Sequence, residues 1–321
     1  MSLAAAEPRW WPELWPLHTR SVRDRIRRRG SELYHFTSAE ASVGAGDVKT
    51  VATVYDLIPL QTGFGRSADP RQRWRAALYR RYLQHLRAAN RLIAISAATA
   101  TALSAELRIP RERIDVIPLG IDAVEWRRRA QQAGPTLDTR YPLPERFWLS
   151  VTSPNPNKGW QDLVRALAIA RGLGLTIPMV IAGYWMPDQR RQLMTLATTL
   201  GIQDQVRFLG YVEDDVLPAL YARALGFVFP SRREGFGLPV LEAMASGIPL
   251  IVSDEPAVFE LAHGIAAVFP VGDPAGLAER MVQLAGDAPL RSRLAVQGLE
   301  RSAEYSWART VDQTVRVYDA L

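Results

Sequence analysis

The chain has 321 residues, enough for two domains of ordinary size, and its 48% hydrophobic and 22% charged residues are typical of a globular protein with a full core. It contains no cysteine, which excludes disulfides and thiolate metal sites, and no apolar run long enough to span a bilayer. The net charge is +6, and all but two of the 39 basic residues are arginine.

Short β-rich runs alternate with helical runs, a pattern typical of parallel sheets with crossover helices. In the first third of the chain we predict strands over 32–37, 49–55, 91–96 and 113–118, and helices over 71–89 and 97–107. From 120 to 144 the chain is polar and contains Gly134, Pro135, Pro142 and Pro144. This composition predicts an irregular linker between two domains.

The basic residues are densest in the first third, in the segment 21–30 and in the segment 71–91. In the second of these segments Trp74, Leu78, Leu83 and Leu86 recur at near-helical spacing between arginines. A solvated helix face and docking to an anionic membrane surface both fit this pattern. No helix-turn-helix, zinc or aromatic RNA-binding signature accompanies the charge, so we expect no nucleic-acid partner. With no signal-peptide pattern, we expect a cytoplasmic protein that is a candidate for peripheral attachment to the inner face of the membrane.

After the predicted linker the alternation becomes regular, which predicts a doubly wound domain. We predict strands over 146–152, 178–183, 206–210, 226–230 and 249–254, and helices over 160–174, 187–200 and 214–224. Because ligands of such sheets bind at the carboxyl ends of the strands, the loops that follow these strands are the candidate site.

The loop after the strand 226–230 carries the clearest chemistry of the sequence, SRREGFGLPVLEAM. Gly235 and Gly237 allow a close backbone approach to a ligand, and a helix that starts there offers free N–H groups to phosphate oxygens. Glu234 and Glu242 bracket that turn, and carboxylates accept hydrogen bonds from hydroxyls. Two polyols joined by a diphosphate fit this layout, which is the shape of a nucleotide sugar. Each of these residues alone also fits a structural role, because glutamates near a helix start and glycines in turns are common.

The whole string, two glutamates with seven residues between them and glycine at the first and third of these, resembles the signature of the family 4 retaining glycosyltransferases with GT-B fold. Six other stretches resemble that family's successive segments: 53–60, 91–103, 111–122, 157–167, 206–224 and 305–321. The resemblance covers about residues 31–321. It implies an α/β protein of two Rossmann-like doubly wound domains facing a cleft. We predict an N-terminal acceptor-side domain over 1–140, a C-terminal nucleotide-sugar-binding domain over 141–304, and a helix over 305–321 that crosses back to the N-terminal domain.

The resemblance assigns roles to particular residues. It implies that Glu234 and Lys158 are the catalytic pair, that Glu234 holds the donor sugar and Lys158 the diphosphate, and that Glu242 holds the ribose. The remaining donor contacts that we expect are Ser153, Asn155, Gly235, Phe236, Gly237 and Leu238, with Tyr211 and Val212 beside the base. The family's front-face mechanism needs no enzyme base, and we expect neither a metal nor a cofactor.

The sequence departs from the family pattern around the donor phosphate and sugar. The loop 152–158 lacks the family's usual arginine, so phosphate binding either weakens or borrows Arg232 or Arg233. Tyr55 stands where the family commonly has a histidine that meets the donor sugar, next to Asp56. His35 is open to two interpretations, as a substitute for that histidine or as a buried structural residue.

The start of the chain also departs from the family, because nothing before residue 31 reads as its first strand and glycine-rich loop. We therefore expect a shortened N-terminal domain, in a chain that is truncated, that completes its sheet with a partner, or that is a degenerate member of the family. The leading hypothesis is a retaining enzyme that moves a hexose, with mannose from GDP-mannose as the best guess, to a glycan or lipid-linked acceptor. The alternative is a non-catalytic nucleotide-sugar-binding subunit that regulates or scaffolds a partner glycosyltransferase. A third hypothesis is a GT-B enzyme of another reaction, such as epimerisation, with Asp56 as its candidate acid or base.

Overall fold

The computed structural model describes Asp24, Ile26, Gly30 and residues 32–39, 47–61 and 70–321. The chain divides into two compact units. The first comprises the chain up to Ile95, Thr99–Val116 and Thr314–Leu321, and the second comprises Ser96–Ala98 and Ile117–Gln313.

The described part of the first unit is a parallel sheet with helices. Its strands are β1 (Leu33–Phe36), β2 (Lys49–Val54), β3 (Arg91–Ala94) and β4 (Ile114–Val116), hydrogen-bonded in that order. Its helices are α1 (Ile58–Gln61), α2 (Pro70–Leu83) and α3 (Ala97–Leu107), and 3-10 turns follow at Gln84–Ala88 and Arg111–Arg113. Beyond their first residues β2 and β3 are buried throughout, as expected of inner strands in a parallel sheet.

The second unit is a larger parallel sheet. Its strands are β5 (Trp148–Val151), β6 (Met179–Ala182), β7 (Val206–Gly210), β8 (Gly226–Phe229), β9 (Leu250–Ser253) and β10 (Ala267–Phe269), in the spatial order β10-β9-β8-β5-β6-β7. Its helices begin with α4 (Ala123–Arg140), α5 (Trp160–Gly172), α6 (Pro187–Thr199), α7 (Leu217–Arg223) and α8 (Leu238–Ala245). They continue with α9 (Pro256–Ala262), α10 (Pro274–Gly286), α11 (Ala288–Ser302) and α12 (Trp307–Asp319), whose residues from Thr314 onward are grouped with the first unit.

The order of the strands fixes where a ligand binds in this sheet. The chain leaves β5 toward β6 and β7 on one side and returns through β8 to the other, so β5 and β8 are neighbours although two strands separate them in sequence. Such a reversal opens a crevice at the carboxyl ends of the two strands. Trp148 and Phe227 are fully buried in these strands and help to hold the crevice on a rigid core.

All nine predicted strands are present, each within two residues of its predicted ends. The α/β prediction is confirmed, because both sheets are parallel and connected by helices. The three-residue strand β10 was not predicted. The prediction of a missing first strand and loop concerns residues before 31, and all of these except Asp24, Ile26 and Gly30 lie outside the described residues.

The prediction of an irregular linker over 120–144 is wrong, because this stretch forms α4, an 18-residue helix that contains Pro135. Asp122 caps its start by accepting a hydrogen bond from the backbone N of Glu125, at 2.9 Å. The helix packs most extensively on α7, and Leu137 is fully buried there. Tertiary packing thus overrides the weak helix propensity of Gly134 and Pro135. As a result α4 belongs to the second unit, whereas the sequence placed a domain boundary after residue 140.

Within the described ranges, no helix has both the length and the apolar character needed to cross a bilayer.

Candidate active site

The loops after β5 and β8 meet at the crevice between these strands. The backbone N of Arg232 donates to the carbonyl oxygen of Asn157 at 2.6 Å, and the Ser231 Oγ lies 3.0 Å from the same oxygen. Gly159 allows this approach, since a Cβ there would lie 1.9 Å from the carbonyl oxygen of Pro230, and its φ of +66° is itself one that favours glycine. The two loops are therefore bound to each other along their backbones.

The joined loops bring Lys158 and Glu234 into direct contact. The Lys158 ammonium donates to both carboxylate oxygens of Glu234, at 2.7 and 2.9 Å. The buried Ser231 hydroxyl donates to Oε1 of Glu234 at 2.5 Å. Only 8% of the Glu234 side chain is exposed, against 29% of Lys158. The carboxylate is thus fixed in one orientation, and the ammonium retains a face toward solvent.

Arg232, one of the two arginines considered for the phosphate, is engaged elsewhere. Its guanidinium makes a forked ion pair with the buried Asp162 of α5, with distances of 2.8 and 2.9 Å. This pair raises the pKa of Arg232 and ties the glutamate loop to α5. Arg233 is exposed on the same loop and is the arginine that the described contacts leave available.

Asn155 and Ser153, the polar donor contacts predicted in the loop after β5, differ in their surroundings. Asn155 uses its side-chain oxygen to accept from the backbone N of Asn157 at 3.0 Å, which caps the turn that carries Lys158. Ser153 is half-buried in the same loop. Asn155 is therefore seen here in a turn-forming role.

The start of α8 matches the sequence prediction. Gly237 is its N-cap with φ +107°, and Pro239 lies in the first turn. The first N–H groups of a helix have no partner within the helix, so those of Gly237 and Leu238 are the groups that can bind an anion. Phe236 is buried with its ring 6.0 Å from that of Tyr305, and Leu238 is 39% exposed.

Glu255 is a buried carboxylate that the sequence analysis did not identify. It caps α9 by accepting from the backbone N of Ala257 and Val258, at 2.9 and 3.1 Å, and it also accepts from the backbone N of Glu234. Burial raises its pKa, and these hydrogen bonds oppose the rise. The available signal was the Glu-Pro pair after a buried strand, which is typical of a helix start.

Glu242 lies one turn into α8, as predicted, and is mostly buried. Its Oε2 accepts from the Tyr221 hydroxyl at 2.8 Å. Burial raises the pKa of Glu242 to about 7; the Tyr221 hydrogen bond opposes the rise and nearby Asp214 adds to it. The fully buried phenol of Tyr221 has its own pKa raised, chiefly by burial.

The predicted base-contact residues follow the edge strand β7. Tyr211 is 59% exposed and Val212 is buried. On the neighbouring strand β6, Tyr184 is 69% exposed just after Gly183, whose backbone N donates to the carbonyl oxygen of Gly210 at 2.7 Å. Two exposed aromatic residues thus follow adjacent strand ends, and the sequence analysis named only one of them.

The three candidates from the N-terminal half all lie in the first unit. Both ring nitrogens of His35 have partners there, the Tyr318 hydroxyl at 2.5 Å and the Thr53 hydroxyl at 2.8 Å, and burial lowers the pKa of the imidazole. These contacts favour the structural interpretation of His35. Asp56 accepts from the backbone N of Ile58 at 2.9 Å, and Tyr55 is 45% exposed.

The described residues contain no group of three or more histidine, aspartate or glutamate side chains placed to hold a metal ion.

Two protein families match this chain in succession. Residues 138–301 match the family described as glycosyl transferases group 1, and residues 5–125 match glycosyltransferase family 4. Among related proteins, the serotype-specific mannosyltransferase WbdA of Escherichia coli is 30% identical over 295 residues, 89% of this chain and 36% of WbdA. The chain therefore spans about a third of the length of that relative.

Solved structures with the same fold cover nearly the whole chain. Sucrose-phosphate synthase from Thermosynechococcus elongatus superposes with a TM-score of 0.77 at 22% identity, over 100% of this chain and 82% of that one. Anabaena HepE in complex with UDP-glucose superposes with a TM-score of 0.73 at 20% identity, over 94% of this chain and 82% of HepE. At these identities the likeness shows the fold alone, which is GT-B. With its successive matches to both families, this chain belongs to the glycosyl transferases group 1, within the family 4 glycosyltransferases of GT-B fold.

Proposed function

We propose that this chain is a retaining glycosyltransferase that moves mannose from GDP-mannose to a polysaccharide or lipid-linked acceptor. The observation that carries the proposal is the Lys158–Glu234 pair, held at 2.7 Å beside the start of α8. The similarity to WbdA, a mannosyltransferase, supports mannose as the sugar. The choice of GDP rests on the resemblance of the segment TVYDLIP to mannosyltransferases.

The arrangement of polar groups supports a nucleotide sugar as the donor. The N-terminus of α8 and the Lys158 ammonium offer positive charge to a diphosphate, and Glu234 offers a carboxylate to sugar hydroxyls. Glu242 offers a second carboxylate to the ribose, and Tyr211 and Val212 border the base. HepE, which shares the fold, was solved with UDP-glucose, a ligand with the same succession of groups.

The chemistry follows from the charge that develops on the donor. As the bond from the anomeric carbon to the phosphate oxygen breaks, its electron pair goes to the leaving diphosphate. The acceptor oxygen bonds to the anomeric carbon on the same face, and its proton goes to the leaving phosphate oxygen. Lys158 and the α8 N-terminus stabilise the leaving charge, while Glu234 holds the sugar in place. In this scheme the enzyme supplies no base, metal or cofactor.

Donor turnover tests the proposal. We would measure release of nucleoside diphosphate from GDP-mannose, UDP-glucose, UDP-N-acetylglucosamine and UDP-galactose, with and without membrane extract, and in excess EDTA. Loss of Lys158 in Lys158→Ala should lower the rate about 100- to 1,000-fold, as removal of one charge-stabilising donor does. Glu234→Ala should lose turnover similarly. Lys49→Ala is the matched control, because it removes the other lysine of the chain, which is exposed at the start of β2.

One observation favours the alternative of a non-catalytic, nucleotide-sugar-binding subunit. The loop 152–158 has no arginine, and Arg232 is already paired with Asp162, so Lys158 and the exposed Arg233 are the basic side chains that these two loops leave for the diphosphate. Donor binding without release, from folded protein, would support that alternative. Release that Lys158→Ala retains would contradict the assigned role of Lys158. Loss of turnover in EDTA would contradict the metal-free scheme.

The first unit, which corresponds to the predicted acceptor-side domain, supports a further part of the proposal. This part is peripheral attachment to an anionic membrane. Between Asp69 and Glu106 the chain has no acidic residue, and it carries seven arginines. Within that stretch Arg73, Trp74, Arg80 and Arg81 of α2 are exposed, and Trp74 is 57% exposed. Exposed arginines beside an exposed tryptophan favour the interface of anionic lipids, where a lipid-linked acceptor would lie.

A further inference from the structure

The Glu242 carboxylate has an anchored oxygen and a free one. Oε2 accepts the hydrogen bond of the Tyr221 hydroxyl at 2.8 Å. Among the described residues, none donates to Oε1. A carboxylate that is held through one oxygen presents the other in a defined direction, which is the property that hydrogen bonding to a ligand hydroxyl requires.

Tyr221 is itself held by aromatic packing. It is fully buried, its ring centroid lies 5.8 Å from that of Trp126 in an edge-to-face arrangement, and it lies 5.2 Å from that of Phe227 in β8. Aromatic pairs at these separations stabilise each other beyond the area that they bury. The phenol therefore has one position available to it.

Trp126 closes a ring of contacts around the same glutamate. Its indole Nε1 donates to the Ser246 hydroxyl at 2.8 Å, and that hydroxyl donates to the backbone carbonyl oxygen of Glu242 at 2.8 Å. Glu242 is thus held at its backbone through Ser246 and at its side chain through Tyr221. Both routes begin at Trp126 of α4.

Ion pairs join helix α4 to α7 and to the segment before α7. Arg223 contacts Asp138 at 2.7 Å, and Arg140 contacts Glu213 at 3.2 Å. The hydroxyl of Tyr141, just after α4, also donates to Glu213, at 2.6 Å. These contacts join α4, which carries Trp126, to α7, which carries Tyr221, and to the segment before α7.

We propose that Tyr221 is the positioning residue for Glu242, and that α4 acts through Trp126 to keep Tyr221 in place. Together they aim the free Oε1 of Glu242 at a hydroxyl of the donor ribose. This inference rests on the proposed function, which assigns the ribose to Glu242.

The charge of the carboxylate depends on the same contact. Burial raises the pKa of Glu242 to about 7, and the Tyr221 hydrogen bond favours the ionised form. Asp214, before α7, opposes ionisation. The other elements packed on α8 are α4, α9, α11, β8 and β9. Among the described residues, no titratable side chain of these elements shifts the pKa of Glu242. Loss of the Tyr221 hydroxyl should therefore raise the pKa of Glu242 further.

The first experiment needs no ligand. In protein labelled with carbon-13 at the glutamate carboxyl, we would follow the Glu242 signal against pH, assigned by its absence in Glu242→Gln. Tyr221→Phe keeps the buried ring and should raise the titration midpoint by about one pH unit, the size expected for one hydrogen bond to a charged group. Trp126→Phe should raise it by less. Tyr318→Phe is the matched control, because it removes a tyrosine hydroxyl that hydrogen-bonds to His35 in the first unit, and it should leave the midpoint unchanged.

The second experiment uses GDP-mannose and UDP-glucose, whose doubly esterified diphosphates do not titrate near neutral pH. Near pH 7, Tyr221→Phe should weaken donor binding about tenfold, raising KM with little change in kcat, since an interaction present before and during reaction is lost. This loss should shrink at higher pH. An unchanged Glu242 midpoint in Tyr221→Phe would overturn the inference. A shifted midpoint in a protein that binds neither donor would overturn the proposed function and leave the Tyr221–Glu242 contact standing.

Discussion

Three carboxylates near the crevice differ in the groups that stabilise their negative charge. Glu234 has the Lys158 ammonium at 2.7 Å and the Ser231 hydroxyl at 2.5 Å. Glu255 is satisfied by backbone N–H groups at the start of α9. Among the described residues Glu242 has only the Tyr221 hydroxyl as a donor, so its burial is the least compensated of the three, and burial raises its pKa to about 7.

The pKa of Glu242 makes the stability of the protein depend on pH. Its folded-state value of about 7 lies above the ordinary 4.5, so the folded state holds the proton more tightly. The stabilisation is fully present below the ordinary pKa and is lost as the pH rises through about 7. The free energy of unfolding should therefore fall by on the order of 3 kcal/mol between about pH 5 and pH 8. Urea unfolding of the wild type and Glu242→Gln at both pH values measures this loss.

The glutamine variant should lack this part of the pH dependence, since its amide does not titrate but still accepts from Tyr221. Glu145→Gln removes an exposed carboxylate and should behave as the wild type. A pH dependence shared equally by all three proteins would show that Glu242 ionises at its ordinary pKa.

At the scale of elements, the site depends on how closely the turns after β5 and β8 approach. Gly159 ends the turn that carries Lys158, and its missing Cβ is what lets the carbonyl oxygen of Pro230 come near. The chain also supplies a comparison. Gly201 has nearly the same φ, +69° against +66°, but nothing lies within 4 Å of the Cβ that it would gain.

Gly159→Ala should therefore destabilise the protein much more than Gly201→Ala. The left-handed backbone costs each alanine about 1 kcal/mol, while only the change at 159 also forces two backbones apart. Thermal unfolding should show a few degrees lost at 201 and a several-fold larger loss at 159, with donor turnover impaired as well. Equal losses at the two sites would mean that the turns move apart without strain.

At the scale of the whole molecule, the net charge of +6 is unevenly distributed along the sequence. The acid-free stretch between Asp69 and Glu106 lies in the first unit except for Ser96–Ala98, and it includes α2 and the turn after it. Arginines on one exposed helix attract an anionic surface more strongly than the same charge spread over the protein.

Vesicle binding measures this attraction. The protein should co-sediment with vesicles that contain phosphatidylglycerol and not with pure phosphatidylcholine, and salt should weaken binding by screening. Replacing Arg80 and Arg81 together with glutamate should abolish it, since each basic residue near the surface contributes about 1 kcal/mol. Arg207→Glu with Arg293→Glu is the matched control, because it changes the charge equally at exposed positions of the second unit. Equal loss in both double variants would indicate attraction to net charge alone.

The sequence by itself determined the local elements and the family. Apolar runs such as those of β5 and β8 predict strands because a buried parallel strand has little choice of residue, and the glycines and Pro239 predict the start of α8. The two glutamates can be recognised because their spacing within one loop and helix is local, and Lys158 can be recognised by its place in the loop after β5.

Only the tertiary structure decided the contacts that join distant segments. It made α4 helical by packing it on α7, against the propensity of Gly134 and Pro135. It brought Lys158 to Glu234 across 76 positions and Tyr221 to Glu242 across 21. The raised pKa of Glu242 follows from its burial, and Arg232 is engaged because it pairs with Asp162. Neither burial nor a spatial partner can be read from the order of residues in the sequence.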